Sequence, residues 1–330
     1  MSFHHGPRRL FILIAALMLI AVGARSESPV DLAVDDGMNT LVTTEWLSQH
    51  LEDPDLVVLD CTVRMEPDEG GGFRSVSGRA DYEADHIPSA GFADLKGDLS
   101  DTSSSLEFAL PTPERFCAAM AALGVGDDSR VVLYDGLNSV WAARVWWMLR
   151  WVGFDQAAVL DGGLEAWTTE ERPLSIEPAD EQPRQLTPAV RPALVADRDE
   201  VYAAIDDDAV SLIDAMHEPH FQGKMVMYER AGHIPSAVNI PTIALLDESG
   251  RYRPHDELAS MFAGDREARV ITYCGAGVAA SANAFIMTRL GFTDVAVYMA
   301  SLQEWAADPA NPLVFDKPEA LSTPAADTGR

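Results

Sequence analysis

Short apolar runs rich in β-branched residues recur along the chain. They lack the polar alternation of a half-exposed strand, so they predict strands that are buried on both faces of a parallel sheet. These runs are DLVVLD, RVVLYDG and AAVLDGG in the first half of the chain, and AVSLID, RVITYCG and VAVYMAS in the second.

Segments of helical character lie between these strands, among them AARVWWMLRWVGF and its counterpart ASANAFIMTRLGF. A further helix is predicted after Pro111, because Thr112 is a suitable N-cap and Pro113 fits the first turn. Gly124 marks its end. The alternation of strands and helices predicts an α/β fold, an open and mainly parallel sheet with helices on both faces.

The two halves of the chain repeat the same motifs in the same order. The sequence HIPSA occurs at 86–90 and again at 233–237, each time after an apolar strand, and each half closes on a glutamate and a tryptophan. Asp135 and Cys274 occupy equivalent places, at the end of a strand in the middle of each repeat. Ordered matches of this kind do not arise by chance, so we predict two similar domains in tandem.

Changes in composition divide the chain into five parts. A Pro-rich, charged stretch separates the two domains, and the C-terminal stretch is rich in Pro, Ala and Asp without periodicity. The predicted parts are a signal peptide at 1–24, an N-terminal domain at 38–174, a linker at 175–192, a C-terminal domain at 193–312 and a loose tail at 313–330.

The N-terminus has the layout of a secretory signal. Arg8 and Arg9 precede the apolar run LFILIAALMLIAV, and small residues up to Ala24 follow it. The run is short for a membrane span, although an uncleaved anchor is the alternative interpretation. We expect cleavage after Ala24 and a periplasmic or otherwise exported protein without stable membrane association. The paired arginines leave open whether the general or the twin-arginine route is used.

Charge and cysteine content argue against several classes of protein. The 330 residues include 24 Lys and Arg against 52 Asp and Glu, a formal net charge of -28. This surplus argues against nucleic-acid binding, which depends on cationic neutralisation of phosphates. Cys61, Cys117 and Cys274 are too few for a disulfide framework, although a bond between the first two stays open. Neither a metal site nor a cofactor is expected, because no Cys or His pairs have metal-ligand spacing.

The candidate chemistry centres on Cys274, which follows a predicted strand and precedes a predicted helix. Glycines in the intervening turn allow successive N–H groups to converge on one atom, and the helix N-terminus adds partial positive charge. Both effects favour the nucleophilic thiolate over the thiol, whereas the alternative interpretation is a buried cysteine in a glycine turn. The predicted backbone cradle consists of Gly275, Ala276, Gly277, Val278, Ala279 and Ala280.

The tandem organisation, the paired HIPSA motifs, the loop YCGAGVAAS and the endings GGLEAW and SLQEW resemble the two-domain rhodanese-like sulfurtransferases. The resemblance covers roughly 40–312 and implies a catalytically silent first domain, where Asp135 replaces the cysteine. It implies that Cys274 takes sulfane sulfur as a persulfide from a small anionic donor, 3-mercaptopyruvate or thiosulfate. The persulfide then passes the sulfur to a thiol or cyanide acceptor.

Several positions depart from the mercaptopyruvate branch of the family, which the Cys-Gly-x-Gly-Val loop otherwise resembles. Ala276 and Ala279 replace hydroxyl residues of that loop, and Met216 and Gln222 replace two arginines that bind the substrate carboxylate. His233 is assigned a structural role in its turn. The remaining candidates for substrate binding are His86, Lys224 and Arg230.

Two other functions compete with that of an exported sulfurtransferase. A phosphatase of the same fold needs the motif Cys-x5-Arg, and Ala280 followed by Ser281 at that point argues against it. The second alternative is a non-catalytic rhodanese-like module, a sulfur carrier that receives sulfur from a protein partner. The absence of the two carboxylate-binding arginines favours this alternative.

Overall fold

A computed structural model describes residues 1–2, 38–68, 72–180 and 182–315 of the chain. The predicted signal peptide lies outside the described residues apart from Met1 and Ser2, and so does the part of the predicted tail beyond 315. Among the described residues, no helix combines the length and the apolar character that a membrane crossing requires.

The first domain is built on a parallel five-stranded sheet with the order β1-β7-β6-β2-β5, and β3 and β4 form a separate antiparallel hairpin. The strands are β1 (Leu41–Val42), β2 (Leu56–Asp60), β3 (Val63–Pro67), β4 (Phe73–Ser77), β5 (Gly91–Phe92), β6 (Arg130–Tyr134) and β7 (Ala157–Leu160). The helices are α1 (Thr44–His50), α2 (Arg79–Ala84), α3 (Pro113–Ala122), α4 (Val140–Trp151) and α5 (Gly163–Thr169).

The second domain repeats this plan with a parallel sheet of order β10-β9-β11-β12-β8. Its strands are β8 (Val195–Ala196), β9 (Val210–Asp214), β10 (Val238–Asn239), β11 (Arg269–Tyr273) and β12 (Val295–Tyr298). Its helices are α6 (Arg198–Ala204), α7 (Glu218–Phe221), α8 (His255–Met261), α9 (Val278–Arg289) and α10 (Ser301–Trp305). The predicted α/β architecture, two tandem domains each with an open parallel sheet, is confirmed.

The central strand of each sheet delivers the residue that the repeat singled out. β6 ends at Tyr134 and is followed by Asp135, and β11 ends at Tyr273 and is followed by Cys274. Each tyrosine hydroxyl accepts a hydrogen bond from the backbone N–H of the isoleucine in the HIPSA motif of its own domain. The distance is 3.3 Å from Ile87 to Tyr134 and 3.0 Å from Ile234 to Tyr273. The repeated motif therefore fixes the carboxyl end of the central strand, where open α/β sheets place their functional groups.

The two domains share one apolar core. Helix α4 packs along α9, and the rings of Trp146 and Phe285 meet edge to face with centroids 4.8 Å apart. Both helices are buried on nearly every side, which explains why their sequences are apolar all round instead of amphipathic. The first domain therefore packs directly behind the turn that carries Cys274.

Three smaller expectations can be compared with the structure. Thr112 caps α3 as predicted, because its hydroxyl accepts a hydrogen bond from the N–H of Arg115. The linker lies against the first domain, where Ser175 pairs with His86 in both directions at 2.8 and 2.9 Å. The described beginning of the predicted tail is not loose, because Val314 pairs with His233 in the same way.

Candidate active site

Cys274 sits in a tight turn between β11 and α9, with 2% of its surface exposed. Its N–H donates to the Ser301 hydroxyl at 3.1 Å, and its carbonyl accepts from the N–H of Leu302 at 3.0 Å. The carbonyl of Gly275 accepts from the N–H of Gln303 at the same distance. The start of α10 therefore holds the backbone of the cysteine turn in place.

Ser301 is a functional position that the sequence analysis missed. It is fully buried, adopts a φ of +54°, and its hydroxyl donates to the carbonyl of Tyr298 at 2.6 Å. Gly163 has the same place in the first domain, with a φ of +56°. The repeat alone could have drawn attention to Ser301, because a non-glycine residue in this left-handed conformation needs a compensating contact.

The first domain shows what this type of turn binds. The carboxylate of Asp135 is fully buried and accepts hydrogen bonds from four backbone N–H groups at 2.7 to 3.1 Å. The donors are Leu137, Ser139, Trp141 and Ala142. Burial raises the pKa of Asp135 to about 7, while the N–H donors act in the opposite direction. A strand–turn–helix unit of this chain therefore directs its N–H groups at a single acidic side chain.

The second domain has backbone N–H groups at the corresponding places after Cys274. The turn between Cys274 and α9 is one residue shorter than the turn between Asp135 and α4. When the two helices are aligned at their first residues, the positions that match Ser139, Trp141 and Ala142 belong to the predicted cradle. The first N–H groups of a helix have no intrahelical acceptor and favour a negative charge nearby. We expect them to stabilise the thiolate of Cys274 and a persulfide formed on it. The matching residues are Gly277, Ala279 and Ala280.

Tyr228 is a second position that the sequence analysis missed. Its hydroxyl lies so close to Gly275 that a Cβ atom at that residue would collide with it. This contact explains why position 275 is occupied by glycine, which has no side chain. Burial raises the pKa of Tyr228, and the negative charges of Cys274 and Glu107 raise it further. The phenol therefore remains a neutral hydrogen-bond donor beside the cysteine turn. No local pattern marks Tyr228, because only tertiary contact brings it there.

His86 is buried where the first domain meets the linker. It is 1% exposed, and its ring nitrogens lie 2.7 Å from the carbonyl oxygen of Tyr82 and 2.9 Å from that of Glu177. The ring also stacks on Tyr82. These contacts join the first HIPSA turn to the linker and engage both ring nitrogens, which favours a structural role for His86, while its substrate contact stays a prediction. His233 has a similar role, since it bonds to the carbonyl of Phe221 and stacks on its ring.

Arg230 is bound by main-chain carbonyls of its own domain. Its guanidinium donates to four main-chain carbonyls at 2.6 to 3.2 Å, a set that closes the end of α10. The donors of Arg230 are thus engaged within the domain, and its assignment as a substrate-binding cation stays a prediction. The four carbonyls belong to Trp305, Ala306, Asp308 and Asn311.

Lys224 is the remaining candidate cation for an anionic donor. It is exposed, at the start of a segment in which Met225, Val226 and Met227 are each more than half exposed, and Tyr228 follows directly. The two positions that lack the family arginines carry no charge: Met216 is 8% exposed in the core, and the amide of Gln222 donates to Glu218. Lys224 thus stays a predicted substrate-binding cation, and it is exposed.

The other two cysteines are free and buried. Burial raises the pKa of the Cys117 thiol to about 11 and that of Cys61 well above its usual range. Both are therefore protonated and unreactive at neutral pH, and they do not form the disulfide that the sequence left open. Within the described ranges, no cluster of three or more His, Cys, Asp or Glu side chains has the arrangement of a metal site.

Comparison with known proteins identifies the family. The rhodanese-like domain model matches residues 43–170 and 197–308. The chain is 34% identical over 282 residues to a probable 3-mercaptopyruvate sulfurtransferase of Pseudomonas aeruginosa, covering 83% of this chain and 97% of the relative. It is 31% identical to the thiosulfate sulfurtransferase of Rattus norvegicus, covering 80% of this chain and 91% of the relative.

The fold comparison agrees with these relatives. The crystal structure of SseA from Escherichia coli, a 3-mercaptopyruvate sulfotransferase, aligns with a TM-score of 0.69 at 31% identity, over 79% of this chain and 98% of that chain. The predicted fold and the predicted enzyme class are thereby confirmed. The chain belongs to the rhodanese family and is a tandem-domain sulfurtransferase.

Proposed function

We propose that the protein transfers sulfane sulfur from 3-mercaptopyruvate or thiosulfate to a thiol or cyanide acceptor through a persulfide on Cys274. The observation that carries this proposal is the pair of equivalent turns. In the first domain the turn satisfies the carboxylate of Asp135 through four N–H groups, and in the second domain the equivalent turn presents Cys274. The names of the relatives supply the two donors.

The first half-reaction forms the persulfide. The Cys274 thiolate attacks the sulfur that is transferred, which is the outer sulfur of thiosulfate or the thiol sulfur of mercaptopyruvate. A new S–S bond forms. The electron pair of the broken bond leaves with the rest of the donor. For thiosulfate the broken bond is S–S and the product is sulfite. For mercaptopyruvate it is C–S, and the leaving enolate takes up the thiol proton to give pyruvate.

The second half-reaction regenerates the cysteine. A thiolate or cyanide attacks the outer sulfur of the persulfide, and the S–S electron pair returns to Cys274 as a thiolate. No side-chain base is needed in either step, because the cysteine and the acceptor both react as anions. The backbone N–H groups around Cys274 and the neutral Tyr228 hydroxyl are suited to hold negative charge on the sulfur in both states.

We expect weak binding of both donors, with KM values at or above about 1 mM, because Met216 and Gln222 carry no charge and the described candidate cation that stays exposed is Lys224. Steady-state kinetics with each donor measure this directly, with sulfide or thiocyanate release as the signal. Lys224→Ala raises KM about tenfold, which matches the loss of one charge-assisted hydrogen bond. The matched control is Arg198→Ala, which removes an exposed cation that pairs only locally with Asp199. A micromolar KM in the wild type, unchanged in Lys224→Ala, contradicts the expectation.

The alternative is a sulfur carrier that accepts sulfur from a protein partner. The observation in its favour is that Met216 and Gln222 carry no charge to hold a substrate carboxylate, since Met216 is buried and the amide of Gln222 is engaged by Glu218. Intact mass spectrometry after incubation with each small donor separates the two functions. A mass increase of one sulfur atom on Cys274 supports the enzyme, whereas sulfur uptake only from a persulfide-bearing protein supports the carrier.

We also propose that the protein is exported with cleavage after Ala24; the sequence pattern at 8–24 supports this. The expected result is a mature N-terminus at Arg25 in the exported fraction, measured by intact mass. An Arg8→Lys, Arg9→Lys double variant keeps the charge, so a block in its export identifies the twin-arginine route. Protein that begins at Met1 and stays in the cytosolic fraction contradicts export.

A further inference from the structure

A buried arginine of the first domain reaches the cysteine turn of the second. Arg144 lies in α4 and is 0% exposed. Its guanidinium donates to the carbonyl of Gly277 at 3.1 Å and to that of Phe108 at 2.7 Å, and it contacts the sulfur of Met299. Its Nε atom has no acceptor within the described residues. Arg144 thus links the first domain to Gly277, the residue immediately before α9.

The charge of Arg144 has no carboxylate partner among the residues that the structure describes. Burying a cation without an anion is costly, and native proteins avoid it unless a counter-charge is present for function. Burial lowers the pKa of Arg144 to about 10, and the negative charge of Cys274 opposes that lowering. The side chain of Cys274, when ionised, is therefore a negative group close enough to interact with this buried cation.

Steric fit supports the same assignment. Gly277 has a φ of +74°, and a Cβ atom there would lie 2.7 Å from both Nη1 of Arg144 and the carbonyl oxygen of Met299. Only glycine at position 277 therefore allows the Cys274 turn to pack against the guanidinium of Arg144. The arginine and the glycine form one arrangement, although 133 residues separate them in sequence.

We propose that Arg144 is a positioning residue which holds the Cys274 turn through Gly277 and supplies the positive charge that keeps Cys274, and then its persulfide, anionic. This inference rests on the proposed function, because it assigns Arg144 to the same sulfur site. It also gives the first domain a role: its own turn is closed by Asp135, but its α4 helix provides the counter-charge for the second domain.

The test is the pH profile of Cys274 alkylation by iodoacetamide, followed at the Cys274 peptide by mass spectrometry. Arg144→Met fills the same apolar space without charge, and we expect the midpoint of alkylation to rise by at least about one pH unit. Arg144→Lys restores part of the shift. Arg150→Met is the matched control, because Arg150 lies on the same helix but pairs with Asp155, and its midpoint is expected to equal that of the wild type.

The other groups that face Cys274 are unchanged in these variants, namely Tyr228 and, behind it, Glu107. A structural role alone for Arg144 predicts reduced thermal stability with an unchanged midpoint, and that result overturns the proposal. If Arg144→Met does not fold, Arg144→Gln replaces it, since glutamine still donates a hydrogen bond but carries no charge. A folded Arg144→Gln variant with the wild-type midpoint also overturns it.

The readout is independent of turnover, so the two proposals fail separately. A raised midpoint in Arg144→Met together with a wild type that takes up no sulfur from either donor contradicts the proposed function alone. Persulfide formation in the wild type with an unshifted midpoint in the variant contradicts the role of Arg144 alone.

Discussion

Cys274→Ser abolishes sulfur transfer from both donors, with an expected loss of more than about a thousandfold. The hydroxyl oxygen of serine cannot accept and release sulfane sulfur as a persulfide, and the backbone around it is unchanged. The measurement is steady-state turnover with thiosulfate and with mercaptopyruvate, together with intact mass after incubation with each donor. The variant is expected to show no added sulfur.

The other two cysteines supply the control. Cys61 and Cys117 are 0% and 2% exposed, and burial keeps both thiols protonated. Cys61→Ala and Cys117→Ala therefore retain turnover within a few-fold, since alanine leaves no buried hydroxyl unsatisfied. Wild-type turnover in Cys274→Ser, or its loss in a folded Cys61→Ala variant, contradicts the assignment of the nucleophile.

Asp135→Ala lowers the free energy of unfolding by about 3 kcal/mol or more, because it leaves four backbone N–H groups without their acceptor. Three of those bonds involve buried donors, where water does not readily replace the carboxylate. Urea unfolding of both proteins measures the difference. Asp206→Ala, at an exposed position, is the control and is expected to stay within about 0.5 kcal/mol of the wild type.

The same comparison has a defined pH dependence. Burial raises the pKa of Asp135 from 3.8 to about 7, so between these values the folded protein keeps a proton that the unfolded chain has released. The stability contributed by Asp135 is thus fully present at low pH and is lost as the pH rises through about 7. The difference between wild type and Asp135→Ala falls by about 2 to 3 kcal/mol between about pH 5 and pH 8.

The negative charge of Asp60 contributes to the raised pKa of Asp135, so the titration of Asp60 changes in the variant, whereas buried acids that do not interact with Asp135 cancel from the comparison. One of them is Asp214, whose pKa burial raises to about 6. A difference that is constant or grows with pH means that the N–H donors outweigh burial and that Asp135 is ionised throughout. That outcome contradicts the predicted pH dependence. The separate prediction, that Asp135→Ala lowers the free energy of unfolding by about 3 kcal/mol or more, is then tested by the measured difference alone.

Local pattern was sufficient for the main elements of the fold. The apolar runs predicted β2, β6 and β7 and their counterparts in the second domain, because buried parallel strands carry a continuous apolar signal. The two-residue strands at the sheet edges, such as β1 and β10, were not predicted. A strand of that length has no periodicity, and only its neighbour in the sheet defines it.

The position of Cys274 was also accessible from sequence, because its strand, turn and helix are contiguous in the chain. The groups that surround it are not contiguous. Ser301 bonds to Cys274 across 27 residues and Arg144 to Gly277 across 133, and no spacing rule connects such pairs. Tyr228 enters the site from a loop for the same reason.

The substrate-binding candidates show the limit most clearly. His86, Lys224 and Arg230 were chosen by residue type and by place in a motif, and these properties are local. Whether a cation is available to a substrate depends on which acceptors already hold it. Main-chain carbonyls distant in sequence engage Arg230, and the linker engages His86, while Lys224 stays exposed. The sequence by itself determined the repeat, the strands and the position of Cys274 between a strand and a helix. The tertiary structure decided which groups surround Cys274, because only folding brings residues distant in sequence together.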